Sequence, residues 1–235
     1  MKIKQQAVLL TGLFFILAGS FVVFSHADST YNVEAAAGMA DKTDAGNTYI
    51  RVAGHEIALW QQDGQNYAFL PSACRGRGIE PEIPAEIDLD SIVRLYSENI
   101  PAVFIETESG TTEQIHADKN VKEAGEISVL GADGVTGFRM PLSYIKCRGN
   151  TSFTSFEKKS YQIKLTDSVS FLGMDAAKRW IFISNAPDTT LLRNALTRNL
   201  AGRLDLAQSD EGAFVDLYIN GEYQGNYYVV EKVEV

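Results

Sequence analysis

Phe214-Val215-Asp216-Leu217-Tyr218-Ile219-Asn220-Gly221-Glu222-Tyr223-Gln224-Gly225-Asn226-Tyr227-Tyr228-Val229-Val230 reads as two strands joined by the strongest short hairpin signal. Asn220-Gly221 supplies two residues that accept positive φ, and the flanking runs are rich in β-branched and aromatic side chains. Gly225, a few residues on, predicts a bulge in the second strand. Working back from this hairpin, the chain alternates short strands with polar turns. Ser160-Tyr161-Gln162-Ile163-Lys164-Leu165 alternates as a half-buried strand, and Trp180-Ile181-Phe182-Ile183 forms another. Residues 175–179 read as a helical turn capped by Asp175. Asp188-Thr189-Thr190 offer capping oxygens to a following helix, in which Leu192, Leu196 and Leu200 make one stripe at helical spacing with Ala195 beside them.

Further upstream, Tyr144-Ile145-Lys146-Cys147 is a strand leading into the polar turn Arg148-Gly149-Asn150-Thr151-Ser152. Val103–Ile105 and Ile127–Leu130 are strand candidates, as are Tyr49–Val52, Glu56–Trp60 and Tyr67–Leu70, with Asp63-Gly64 as a hairpin turn before the last. Residues 75–90 carry Gly76, Gly78, Pro81 and Pro84 and form a loop or boundary. These elements predict an α+β protein divided into a β-rich region over 47–140 and a denser unit over 141–235.

The N-terminus predicts the compartment. Lys2 and Lys4 precede an uncharged, mostly apolar run from Ala7 to Phe24, and Ser25-His26-Ala27 fits a small-x-small cleavage site. Residues 1–27 are therefore expected to be a signal peptide or an N-terminal membrane anchor through residues 7–24, and either places the rest outside the cytoplasm. Residues 28–46, small and polar, read as a flexible tether. Cys74 and Cys147 are a candidate pair for one disulfide in that setting, and sequence does not fix their geometry.

The 235-residue chain is 45% apolar and 10% aromatic, as a folded protein is, and its formal charge of −9 excludes a general nucleic-acid binder. Charge is unevenly placed. Between Lys146 and Arg203 there are ten Lys or Arg against four acids, a basic island suited to an anionic small ligand. His26, His55 and His116 are scattered, so no metal site is expected.

A glycine between polar residues at 148–152 lets backbone N–H groups, hydroxyls and a guanidinium converge on an anion. Taken alone such a turn is most often only a turn, and the lysines that follow suit a solvated edge strand. The ordered set is more specific: Arg148-Gly149-Asn150-Thr151-Ser152, Lys158–Leu165, Leu172-Gly173-Met174, Lys178-Arg179-Trp180, Asp188, Leu192–Leu196, and Leu217–Tyr228 followed by Glu231. That series resembles the CotH family of spore-coat-type atypical kinases, over residues 144–235.

The resemblance implies the N-terminal lobe of a distant protein-kinase-like fold, preceded by a small β-rich unit and truncated before the second lobe. It also implies a secreted or cell-surface protein that moves phosphate from ATP, with Mg²⁺ or Mn²⁺, to hydroxyl side chains of coat or cell-surface proteins. In that reading Arg148, Gly149, Asn150 and Ser152 lie over the phosphates, and Lys159 or Lys164 pairs with them. Lys164 is preferred because it shares a strand face with Gln162. Arg193 projects from the helix after Asp188. Because Leu191–Leu204 contains no Glu, Glu231 is the nearest carboxylate for a lysine–glutamate pair. The catalytic carboxylates are expected beyond Val235. Two other readings stay open: a non-catalytic coat-assembly or adhesion module on the same fold, and an unrelated carbohydrate-binding or structural protein suggested by Trp60, Tyr67 and the tyrosines at 218, 223, 227 and 228.

Overall fold

The structure is a computed structural model, and it describes residues 14–17, 20–23, 48–75, 79–85, 87–206 and 212–233. The expected tether at 28–46 lies outside the described residues. So does the expected targeting segment at 1–27, apart from β1 (Phe14–Leu17) and β2 (Ser20–Val23), which pair antiparallel. Among the described residues no helix is long and apolar enough to cross a membrane.

The local signals become strands. β3 (Tyr49–Val52) and β4 (His55–Ala58) form one hairpin, and β5 (Trp60–Gln62) and β6 (Gln65–Leu70) form another across Asp63-Gly64. Both residues of that turn have positive φ, 51° and 77°. β7 (Ile92–Tyr96) then joins β6 in parallel. β8 (Ala102–Thr107), β9 (Glu123–Leu130) and β10 (Thr136–Arg148) run as a meander, with the short helix α1 (Glu113–Ala117) between the first two. After α2 (Thr151–Thr154) come β11 (Ser160–Ser170), β12 (Ala176–Ile183), α3 (Arg193–Arg203), β13 (Gly212–Ile219) and β14 (Glu222–Glu231). The bulge expected at Gly225 is present: Leu217 pairs with Gly225 and Tyr218 with Tyr223, which leaves one extra residue in β14.

Seven strands close into a barrel in the order β10-β11-β12-β14-β13-β8-β9. This overturns the expected α+β fold with a kinase-like N-terminal lobe: among the described residues strands make up 49% and helices 14%. The physical reason is closure. β13 pairs in parallel with β8, Asp216 against Ala102 through Ile219 against Ile105, and that contact turns an open sheet into a barrel without edges. The boundary expected near residue 140 falls inside β10, and the barrel draws strands from both sides of it. The helical turn expected at 175–179 is also absent, because Ala176 and Ala177 pair with Ser170 and Val169 at the start of β12.

Alternation along each strand fills the interior with Val103, Ile105, Ile127, Val129, Ile145, Cys147, Tyr161, Ile163, Leu165, Trp180, Phe182, Val215, Leu217, Ile219, Tyr227 and Val229. Leu142 and Ile145 both face inward across an odd spacing because β10 shifts register between Leu142 and Tyr144. A second core lies outside the barrel wall. There Ile50, Val52, Ile57, Leu59, Ala68, Leu70 and Ile92 pack on Ala102, Phe104, Leu130 and Tyr218, the outward residues of β8, β9 and β13.

The candidate pair is not bridged in the structure: Cys147 sits in the barrel interior, Cys74 packs beside the second core, and both are free thiols. Burial pushes each thiol up to about 12, so both remain protonated at neutral pH.

Candidate cationic cleft

Inward-facing Ile163, Leu165 and Trp180 force their neighbours Lys164 and Arg179 to the outer surface, where the two are directly opposed on β11 and β12. Lys164, Ala177, Lys178, Arg179, Glu231 and Lys232 line a cleft of about 350 Å³. The amide of Lys232 donates to the carbonyl of Arg179 at 3.0 Å, which ties the end of β14 to β12. Lys178 Nζ reaches across to the Thr166 carbonyl at 2.9 Å. Four cationic side chains and one carboxylate thus share one concavity, where a polyanionic ligand gains several charge-assisted hydrogen bonds at once.

The Arg148–Ser152 turn stands elsewhere on the same sheet. Arg148 pairs with Ser160, four residues along β11 from Lys164, a separation of about 13 Å at the usual strand rise. Gly149 has φ of +100°, and a Cβ there would lie 2.0 Å from Ser152 Oγ, so the turn needs glycine. The Asn150 carbonyl accepts the amides of Phe153 and Thr154 at 3.0 and 3.1 Å. Lys119, from the segment after α1, donates to Asn150 Oδ1 at 2.6 Å and to the Gly149 carbonyl at 3.3 Å. Desolvation lowers the pKa of the half-buried Arg148 guanidinium.

Lys159 does not reach the cleft. Its Nζ donates to the Phe153 and Phe156 carbonyls, both at 2.7 Å, and sits 5.1 Å from the Phe153 ring centre. Its ammonium therefore braces the chain around α2. Arg193 is spent on a cap: its amide donates to Asp188 Oδ2 at 2.9 Å, and its Nε lies 3.4 Å from Asp188 Oδ1. Burial works to raise the Asp188 carboxyl, but the Arg193 amide, the Thr190 hydroxyl and amide, and the Arg193 guanidinium outweigh it and hold the group below its usual range. Of the residues singled out in the sequence, the structure therefore brings Lys164 and Glu231 together. Arg148, Gly149, Asn150 and Ser152 share one turn with Lys159 behind it, and Arg193 stands apart on α3.

Sequence reasoning missed Arg179 and Lys232 as companions of Lys164, although alternation on either side of Trp180 was the signal that could have found the first. It also missed a buried polar cluster behind the barrel wall. Asp216 is fully buried and accepts hydrogen bonds from the Ser97 hydroxyl and, at 3.0 Å, from the Tyr223 hydroxyl. Burial pushes its carboxyl up to about 6 despite those donors, Asn226 and the nearby Lys158 ammonium. Lys158 Nζ donates to the Asn226 carbonyl and lies 4.5 Å from the Tyr227 ring centre, and desolvation takes its pKa well below the usual lysine range.

The donor set of the cleft fits the phosphates of a nucleotide. For Mg²⁺ or Mn²⁺ it offers only Glu231, and a lone carboxylate does not make a metal site. Among the described residues no group of three or more His, Cys, Asp or Glu is placed to hold a metal ion.

No curated protein matches the chain. Residues 145–235 match the model of the family described as CotH kinase protein. The match begins within β10, takes in β11 to β14 with the cationic cleft, and leaves β8 and β9 of the same barrel outside it. The likeness to that family thus covers residues 145–235, less than half of the chain.

Proposed function

We propose that this chain is the nucleotide-binding part of an exported CotH-type atypical kinase. In such a kinase, phosphate would pass from ATP to hydroxyl side chains of coat or cell-surface proteins. The observation that carries the reading is the cleft, in which Lys164 and Arg179 oppose each other with Lys178 and Lys232 beside them, inside the family-matched segment. ATP supplies the transferable phosphoryl group, and these four side chains hold and neutralise its phosphates. Glu231 limits how far the cleft's charge rises and gives a ligand sugar or amine an acceptor. The Arg148–Ser152 turn, standing about 13 Å away along β11, suits contact with the acceptor protein or the far end of the nucleotide better than with the same phosphates. Export rests on Lys2, Lys4, the apolar run 7–24 and Ser25-His26-Ala27.

The test is calorimetric titration of ATP with Mn²⁺ into the chain and into a Lys164→Ala/Arg179→Ala variant. Loss of two charge-assisted contacts is expected to weaken binding by about tenfold or more. If the wild-type chain takes up no nucleotide, or the variant binds equally well, the reading fails and a non-catalytic coat-assembly or adhesion module replaces it.

A further inference from the structure

The row of outward side chains that forms the cleft continues past Lys164 onto β10. Inward-facing Ile145 and Ile163 turn their neighbours Tyr144, Gln162 and Lys164 to the outer surface. Tyr144 is directly opposite Lys164, and Lys164 is directly opposite Arg179. Lys232, just past the end of β14, is tied through its amide to the Arg179 carbonyl, so the row crosses four neighbouring strands. At about 4.8 Å per strand it spans about 14 Å from Tyr144 to Lys232. Cations stand on three of those strands, and an aromatic ring stands on the fourth.

That ring is held by its hydroxyl. Gln162 Nε2 donates to the Tyr144 hydroxyl at 2.8 Å, and both residues are half-buried. An amide nitrogen carries two protons, so one remains to Gln162. Its Oε1 accepts from no described residue. The Lys122 ammonium lies 4.9 Å from the Tyr144 ring centre. A cation over a half-exposed ring is held weakly, and a flat base that stacks there gains more. Next to the phosphate-binding cations, then, stand a ring face covered only by a flexible lysine and an oriented amide with one donor and one acceptor to spare.

Resting on the nucleotide reading of the cleft, we propose that Tyr144 and Gln162 receive the base of that nucleotide and prefer adenine to guanine. The base stacks on Tyr144 in place of Lys122, whose ammonium is then free for the nearest phosphate. Gln162 reads the base edge. Adenine presents an amino donor beside the N7 acceptor, and these match Oε1 and the remaining amide proton. Guanine presents two acceptors on the same edge, so its O6 would face Oε1 with no proton between them. The Tyr144 hydroxyl sets which way the amide points and so acts through Gln162 as a positioning group. Lys146, opposite Gln162, is a flexible donor that either base can use, so the choice rests on the oriented amide.

ATP, GTP and inorganic triphosphate, each with Mn²⁺, are titrated calorimetrically into the full chain. ATP is expected to bind about tenfold tighter than triphosphate, through the stacked base, and about tenfold tighter than GTP. Tyr144→Ala is expected to reduce ATP to the affinity of triphosphate while leaving triphosphate binding unchanged. Tyr144→Phe keeps the ring but releases the amide, so it should retain the preference over triphosphate and lose the preference for adenine. If the wild-type chain binds triphosphate or GTP as tightly as ATP, this proposal is overturned and the phosphate-binding cleft stands. Tyr144→Phe that discriminates between ATP and GTP as wild type does would overturn it equally. Binding of neither ATP nor triphosphate would remove the nucleotide reading, and this inference with it.

Discussion

The two sides of the barrel wall are built from the same alternation and have opposite fates. On the β8–β13 side the outward residues are Ala102, Phe104 and Tyr218, and the sheets of residues 49–96 cover them. Rings stack in sequence there: His55 on Phe104 at 4.1 Å, Phe104 on Tyr218 at 4.8 Å, and Phe69 on Tyr223 at 3.8 Å. On the β11–β12 side the outward residues include Lys164 and Arg179, and a cleft forms instead of a core. A barrel strand must bury its inward residues wherever it stands, so only the outward half of each strand is free to specialise. Here aromatic residues recruit a covering sheet, and cations keep the wall open to a ligand.

Three changes sharpen or break that contrast. Phe104→Ala should have the largest effect, because it empties a site sandwiched between His55 and Tyr218, and such truncations cost about 3–5 kcal/mol. Urea unfolding measures it, and a cost near zero would mean that the covering sheet does not depend on this stack. Next comes Asp216→Asn in the cluster that joins Ser97 to β13. The Asp216 carboxyl is raised to about 6 in the folded protein, against about 4 in the unfolded chain. Its contribution is therefore fully present below pH 4 and is lost as pH rises through about 6. Relative to wild type, the Asn variant should gain up to about 3 kcal/mol between pH 4 and pH 7. A wild-type–variant difference that stays flat over that range would show that Asp216 is not buried as a charge. Smallest is Lys164→Ala on the open side, expected to shift stability by less than about 0.5 kcal/mol as an outward surface change. Thermal unfolding checks it, and a shift above about 2 kcal/mol would make Lys164 a structural residue of the wall rather than a ligand contact.

Much of the local structure was legible because it is encoded by neighbours in sequence. Asn220-Gly221 and Asp63-Gly64 occupy positive-φ turns, and the alternation at Ser160–Leu165 and Trp180–Ile183 assigned the strands and their inward faces. Barrel closure was not legible, because the β8–β13 contact joins residues more than a hundred positions apart and leaves no local trace. The first half of β10 was hidden by Gly137 and Pro141, residues that argue against a strand until a bulge accommodates them. Ala176–Arg179 favours helix by propensity, and pairing with β11 overrides it. The candidate site divided along the same line. Strand alternation favoured Lys164 over Lys159, and Glu231 was reached only as the nearest carboxylate, whereas no sequence pattern reveals the Phe153 and Phe156 carbonyls that hold the Lys159 ammonium.

The central claim, that the open side of the barrel receives nucleotide phosphates, is tested most directly with an ATP acyl-phosphate. This reagent transfers its acyl group to a lysine amine lying against the bound phosphates, and peptide mass spectrometry then reads the site. Acylation of Lys164, Lys178 or Lys232 that free ATP suppresses is the result expected of the cleft. Acylation confined to Lys159, or spread over surface lysines and indifferent to ATP, would contradict it.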